Sequence, residues 1–480
     1  MKINKDHRRF TLTTFVMVCI LLFALTIRLI YLKSFHDDYF AIGLVCGEAE
    51  LAKSLLEGKG LVIYPSEYCA QINKEQRLID LEDFKGKVSG KPAPAFFDMP
   101  GYAYLLAFTW KIFGEKRFIY IQIIQVLMDV FCCYLLFKLA ALLYGTGVGL
   151  LTAFIYATYL PLIRYTVAAL RDIWVTFILI PLLYLVIREV VKNRGKISYS
   201  TYITVGILLG LEYYMRGSGM LLPVFLSAGI FLATGNLKNS LKSFAVMTLI
   251  IVIFMLPWVY RNYRLFGIFM PTRPVIGQGL WEGLGMVENP FGAVLNDGTA
   301  YERAVAEGFK GNYGTPEYNN FLMKKALGAI KEYPLIYLKA VAFRLANGTV
   351  LMSGGSWFFD LSVGLKKYSY ITYKEKYGMT KLEFLRRHPL LCLWYAVFYY
   401  HAGIIFCMMV FGFFIVIKRW RMNLLLLSVP LSYLATTVPI HLEDRYVLVS
   451  TFPYLIFASL FIIYVLKIVF KTNIMVKNFY

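Results

Sequence analysis

The sequence predicts an all-α polytopic membrane protein, a bundle of about ten transmembrane helices with two long external loops. Three observations predict it. Hydrophobic residues make up 59% of the 480 and charged residues only 16%, more apolar surface than one soluble core of this size buries. Many apolar runs reach roughly 18–25 residues, enough to cross about 30 Å of hydrocarbon as a helix. Lysine and arginine gather in alternate loops, as the positive-inside rule requires of cytoplasmic loops.

Taken in order, the first run, 10–32, follows Lys2, Lys5, Arg8 and Arg9. It is long and lacks a small-residue cleavage site before Tyr31 and Lys33, so it reads as a retained signal anchor with the N-terminus inside. Spans then fall near 11–33, 118–142, 146–164, 171–190, 201–216, 219–234, 243–260, 392–417, 423–439 and 447–467. This register puts Lys192, Arg194, Lys196, Lys238, Lys242, Lys418, Arg419, Arg421 and the tail after Lys467 in the cytoplasm, with both termini inside. Residues 34–117 and 261–391 stay outside. The organisation expected is an N-terminal transmembrane catalytic module over 1–260, an external region over 261–391 and C-terminal helices over 392–480, in an inner (plasma) membrane. Residues 335–346 contain Lys339 and Arg344 and would invert every later loop if they crossed, so they read as an interfacial helix. Tyr102–Phe113, closed by Gly114, reads the same way.

The formal charge of +21 is spread over loops with no soluble domain to concentrate it, which argues against nucleic acid and for an anionic lipid or phosphate partner. Among seven cysteines (Cys19, Cys46, Cys69, Cys132, Cys133, Cys392, Cys407) there is no CxxC pair. Only Cys46 and Cys69 share an external loop where a disulfide would form. Repeats of hydropathy are absent, which weakens a transporter reading. No Gly-rich phosphate loop appears, so an activated donor would be lipid-borne.

Chemistry concentrates after the first span, where His36-Asp-Asp38 precedes Gly47-Glu-Ala-Glu-Leu-Ala-Lys-Ser-Leu-Leu-Glu-Gly-Lys-Gly60, a helix stopped by glycine. Glu50, Lys53 and Glu57 form a stripe expected to be solvated. Glu48 shares a face with Leu51, Ala52 and Leu55. A carboxylate held at a membrane boundary suits a general base; it equally suits a helix N-terminus, and spacing alone does not choose.

Other residues extend the pattern. Leu51–Gly60, Pro94-Ala-Phe-Phe-Asp-Met-Pro-Gly-Tyr-Ala-Tyr-Leu-Leu-Ala107, Ile112-Phe-Gly114, Leu170-Arg-Asp172, Leu256-Pro-Trp-Val-Tyr-Arg-Asn-Tyr-Arg-Leu-Phe-Gly267 and Glu443-Asp-Arg-Tyr446 stand in an order that resembles the GT-C membrane glycosyltransferases. Within them it is similar to the group of protein mannosyltransferases and lipid A aminoarabinose transferases. The resemblance implies a GT-C-like bundle and an inverting transfer of sugar from a polyprenyl-phosphate carrier to a lipid, glycan or protein acceptor outside the membrane. It implies Glu48 as base and Asp172 as the second acid. Relatives often carry the first acid as Asp one turn earlier, where this chain has Leu44, so Glu50, Asp37 and Asp38 stay open as the base. A basic residue that relatives place near Pro-Gly-Tyr is here Phe97 or Asp98, which leaves phosphate binding to other residues.

Arg445, Arg261, Arg171 and Arg216 fall at external span ends, where a guanidinium grips a phosphate bidentately or anchors a helix end. Asp129 and Glu212 fall inside spans, where an ionisable group is functional or paired; Asp129 is expected to bond neighbouring helices, and Glu212 to pair with Arg216 one turn on. His388 and His441 border the external side, Trp258 and Trp281 its interface. Five dispersed histidines and no DxD near the acids call for no metal and no cofactor. The alternatives are a transporter or flippase for a lipid-linked sugar, a glycan ligase or polymerase, and an assembly scaffold.

Overall fold

In the computed structural model, residues 2–35, 39–63, 93–94, 99–114, 117–193, 195–273, 275–311, 313, 315–349, 378 and 380–470 are described. Asp37, Asp38, Cys69, Phe97 and Asp98 lie outside them, as does the side chain of Cys46, so the alternative bases of that pair and the disulfide lie there too. The described chain is all-helical apart from one two-residue antiparallel pairing, β1 (Val62–Ile63) with β2 (Ala93–Pro94).

The chain opens with α1 (Lys2–Phe35), α2 (Tyr39–Leu56), α3 (Gly101–Phe113), α4 (Phe118–Tyr144), α5 (Thr146–Thr158), α6 (Leu160–Val167) and α7 (Arg171–Lys192). Next come α8 (Tyr199–Met215), α9 (Leu222–Thr234) and α10 (Leu237–Phe266). Then come α11 (Ile276–Leu284), α12 (Asp297–Ala306), α13 (Pro316–Glu332) and α14 (Pro334–Thr349). The chain continues with α15 (Lys381–Arg387), α16 (Pro389–Ile415), α17 (Trp420–Thr437), α18 (Asp444–Leu448) and α19 (Phe452–Phe470).

Every stretch expected to span is helical over most of its length, the last being broken between α18 and α19. Among the described residues five helices are individually long and apolar enough to cross, namely α1, α4, α7, α10 and α19. One further pass is bent, the α5–α6 pair, which turns by 56° at Tyr159, just before Pro161, whereas α16 and α17 meet at 83° beyond Ile415, at the end where Arg419 donates to the Leu143 carbonyl. The α8 and α9 helices are shorter. The departure from ten straight spans has a local cause at α5–α6, because Pro161 has no N–H to donate back to the Ala157 carbonyl and its ring crowds that carbonyl.

Hydrogen bonds tie loops together at the two ends of the bundle. At one end Asn239 donates to the Gly195 carbonyl over 2.8 Å, Tyr144 donates to Asn423 over 2.7 Å and Arg419 donates to the Leu143 carbonyl over 2.9 Å. Glu48, Asp172, Arg216 and Arg445 gather at the other end. Between the ends one apolar core joins α1, α4–α10 and α16–α19. Small residues set the closest approaches: a Cβ on Gly206 or Gly210, one turn apart on α8, would strike Ile250 or Phe254 of α10 at 2.6 Å and 2.5 Å. This is the small-residue spacing by which membrane helices approach.

Candidate functional site

The site begins with how α7 is started. Where α6 ends, Gln122 donates to the Val167 carbonyl over 2.6 Å, and Gln125 donates to the carbonyls of Thr166 and Ala168 over 2.8 Å and 2.7 Å. Tyr102 and Trp174 both donate to the Gln125 side-chain oxygen, at 3.2 Å and 3.1 Å. Two glutamines of α4 thereby satisfy carbonyls at the helix break, that of Ala168 also accepting from the Leu170 amide, as buried polar groups require. The turn they hold delivers Arg171 and Asp172 as the first residues of α7, where a carboxylate also complements the helix dipole.

These adjacent residues reach in two directions. Arg171 donates to Glu48 of α2 over 2.9 Å, with both side chains largely buried. Asp172 accepts from Arg216, the residue that ends α8. Arg216 also lies 3.5 Å from the Arg445 carbonyl, and its guanidinium sits 3.8 Å from the centre of the Tyr446 ring. The Arg445 guanidinium is 5.4 Å from the same ring, and its Nε donates to Glu443 over 2.6 Å. Tyr446 donates to the other Glu443 oxygen over 2.9 Å. Glu48, Arg171, Asp172, Arg216, Arg445 and Glu443 therefore form one chain of matched charges at a single end of the bundle, with Tyr446 stacked among them. Cation–π contact and charge-assisted bonds of this kind hold a guanidinium in one orientation.

Electrostatics follow from this packing. Burial alone would raise the Glu443 carboxyl, but the Arg445 and His441 charges outweigh it and hold it at about 2. Burial first, and then the Glu48 charge, push the Tyr102 hydroxyl up. On the same side Glu282 is buried on α11 and rises to about 7, chiefly through desolvation. It accepts from Gln278 over 2.8 Å and lies 3.4 Å from His441 Nδ1.

Several sequence expectations change here. Glu50 is buried, not part of a solvated stripe, because α2 is covered on more than one side. Ala49 and Ala52 pack with Tyr102 and Leu106, whereas Leu51 packs with Met99, Ala103 and Trp258. Glu57 pairs with Lys59. Glu212 does not take Arg216 as its hydrogen-bonding partner; it accepts from Tyr433, Ser218 and the Gly219 amide at 2.8–3.1 Å, while Arg216 goes to Asp172. Among the described residues Arg261 is not linked to the other three arginines: it donates to the Leu61 carbonyl over 3.1 Å and lies 5.0 Å from Trp258. Asp129 does bond neighbouring helices, accepting from Arg28 and from Tyr156. Sequence reasoning passed over Arg28, Glu282 and the part played by Tyr446. An arginine inside the first apolar run and a glutamate inside the apolar Ile276–Leu284 segment were the available signals. Among the described residues no three of histidine, cysteine, aspartate and glutamate are grouped as metal ligands are.

Residues 92–260 match the family model for dolichyl-phosphate-mannose-protein mannosyltransferases. The GT-C resemblance read from the motifs is shown over that segment, which carries Gly101, Asp172 and Arg216; Glu48 and Glu443–Tyr446 lie beyond it. No curated protein matches the chain. The chain also aligns with solved structures of the Archaeoglobus fulgidus oligosaccharyltransferase. For the apo form the TM-score is 0.49 and the identity 13%, over 95% of this chain and 50% of that one. For the archaeal oligosaccharyltransferase AglB in complex with an inhibitory peptide and a dolichol-phosphate the TM-score is 0.49 and the identity 12%, over 98% and 53%. This chain spans about half the length of those proteins.

Proposed function

We propose that this chain, similar over residues 92–260 to dolichyl-phosphate-mannose-protein mannosyltransferases, is an inverting glycosyltransferase. It would move a sugar from a polyprenyl-phosphate carrier to an acceptor at the outer face of the membrane. The observation that carries this reading is a pair of buried acids at one end of the bundle, Glu48 and Asp172, each matched to a guanidinium.

In the resting protein Arg171 holds Glu48 in one orientation. A donor phosphate arriving at the same end competes for Arg171, and Glu48 turns to the acceptor hydroxyl. The hydroxyl oxygen attacks the anomeric carbon from the face opposite the phosphate. Its proton passes to Glu48, the bond from the anomeric carbon to the phosphate oxygen breaks, and the bonding electrons leave with the phosphate. Inversion follows from the single displacement. Arg445 and Arg216 match the phosphate charge, in a partly desolvated site where such matching acts more strongly than in water. In this proposal guanidinium groups alone carry that task, with no metal and no cofactor. Asp172 orients the acceptor. Residues 1–260 supply the acids, 261–391 cover the site and 392–480 supply Arg445, with the termini on the cytoplasmic side of a plasma membrane.

The test is transfer of labelled sugar from synthetic polyprenyl-phosphate donors, comparing wild type with Glu48→Gln, Asp172→Asn and Glu50→Gln at matched expression. Loss of a positioned general base costs about 10²–10⁴-fold in rate. Glu48→Gln is expected to fall by that factor while its donor affinity rises, because Arg171 is freed for the phosphate. A full rate there would remove Glu48 as the base, and a loss confined to Glu50→Gln would transfer the role. A wild type that binds the donor but releases no sugar to any acceptor would favour a carrier of lipid-linked sugar instead.

A further inference from the structure

Two separate elements converge on the short segment that leads from α17 to Arg445. From α14, the buried Arg344 donates to the carbonyls of Val438 over 2.6 Å and Pro439 over 3.3 Å, and also to that of Gly283. From α11, Gly283 packs so closely that a Cβ there would overlap the Ile440 carbonyl oxygen. One residue earlier on α11, Glu282 faces His441. The His441 ring lies between two carboxylates, with Nδ1 3.4 Å from Glu282 and Nε2 3.6 Å from Glu443. Glu443 in turn holds both Arg445 and Tyr446. Among the described residues α11 thus reaches Glu443 and Arg445 through His441.

We propose that His441 and Glu282 act as a positioning pair that sets the charge around Glu443 and Arg445, so that affinity for a lipid phosphodiester follows the pair's protonation. This deepens the function proposed above and rests on Arg445 meeting the donor phosphate. The other ionisable groups facing the pair are Asp297, Tyr313 and Tyr318 from the α12–α13 side, Arg344 from α14, and Glu443, Arg445 and Tyr446 on the pair's own segment. With one proton on the pair, Glu282 and His441 together are neutral, whichever of them holds it. Glu443 and Arg445 cancel, so the four groups sum to zero. Losing the proton makes the sum minus one and sets a negative charge beside the arginine. Burial that raises the Glu282 carboxyl to about 7 places this step near neutral pH.

The experiment uses the full chain in detergent and a polyprenyl methyl phosphodiester, whose charge is constant between about pH 6 and pH 9. Wild-type affinity is expected to fall about three- to tenfold as pH rises through about 7, the size of one unit charge acting across a partly solvated gap. His441→Gln removes the partner that keeps Glu282 ionised, so the midpoint of the fall moves to higher pH. The double variant Glu282→Gln/His441→Gln abolishes the step. Where the double variant fails to fold, the shift in His441→Gln still decides. A wild type without the step, or an unmoved midpoint in His441→Gln, overturns the proposal. Binding unchanged in Arg445→Ala would instead sink the phosphate site itself. Arg445→Ala weakened, with the His441→Gln profile equal to wild type, would leave that site standing and remove only the positioning pair.

Discussion

Arg28 and Asp129 are both fully buried, and each would be intolerable in hydrocarbon without the other. Arg28 also donates to the Ala157 carbonyl over 3.0 Å, at the bend between α5 and α6. Arg28→Met is expected to lower stability by about 3–5 kcal/mol because it strands the Asp129 charge. Arg28→Met/Asp129→Leu should recover much of that loss, and thermal unfolding in detergent measures both. Glu282 supplies a second prediction. Its folded carboxyl titrates near 7, above the ordinary carboxyl value of about 4.3. Folding therefore favours its protonated form, and stability falls as pH rises from about 4 to about 7. Glu282→Gln should match wild type below that window and exceed it above, by on the order of 3 kcal/mol. A constant difference across pH would contradict the assignment.

At the scale of elements, the Pro-Gly-Tyr motif is legible as a helix start in the sequence, but the reason for its glycine is tertiary. A Cβ on Gly101 would lie 2.5 Å from the Tyr214 carbonyl oxygen, so α3 meets the backbone of α8 there. Gly101→Val should push α3 away from α8 and loosen Tyr102 from Gln125. Because Gln125 holds the turn before Arg171, transfer activity should drop together with thermal stability, by about 1–3 kcal/mol for the overpacked contact. Activity retained at full stability would show that α3 does not support the site. The expected solvated stripe on α2 failed at this same scale: periodicity identifies a helix's faces but not how many of them neighbours cover.

At the scale of the whole molecule, the two ends separated by hydrogen bonding carry the basic loops on one side and the acid–arginine chain on the other. In a background freed of native cysteines, Lys238→Cys and Lys324→Cys are expected to react with an impermeant maleimide from opposite sides of the membrane. Labelling of both from one side would break the register from which the external site is argued. The bent α5–α6 pass belongs to this scale too, since its freed carbonyls are met by Arg28 of α1 and the turn after α6 by Gln122 and Gln125 of α4.

Local chemistry along the chain was enough to determine the helical class, the order of the membrane segments, the basic ends and the presence of acids and arginines near span termini. Each depends on residues near one another in sequence, through apolar run length, loop charge and helix stop signals. Only the tertiary structure decided the partners: Glu48 with Arg171 across 123 positions, Arg216 with Asp172 and not Glu212, and Glu282 with His441. A buried charge selects the opposite charge that packing brings within reach, and spacing along one helix does not contain that information.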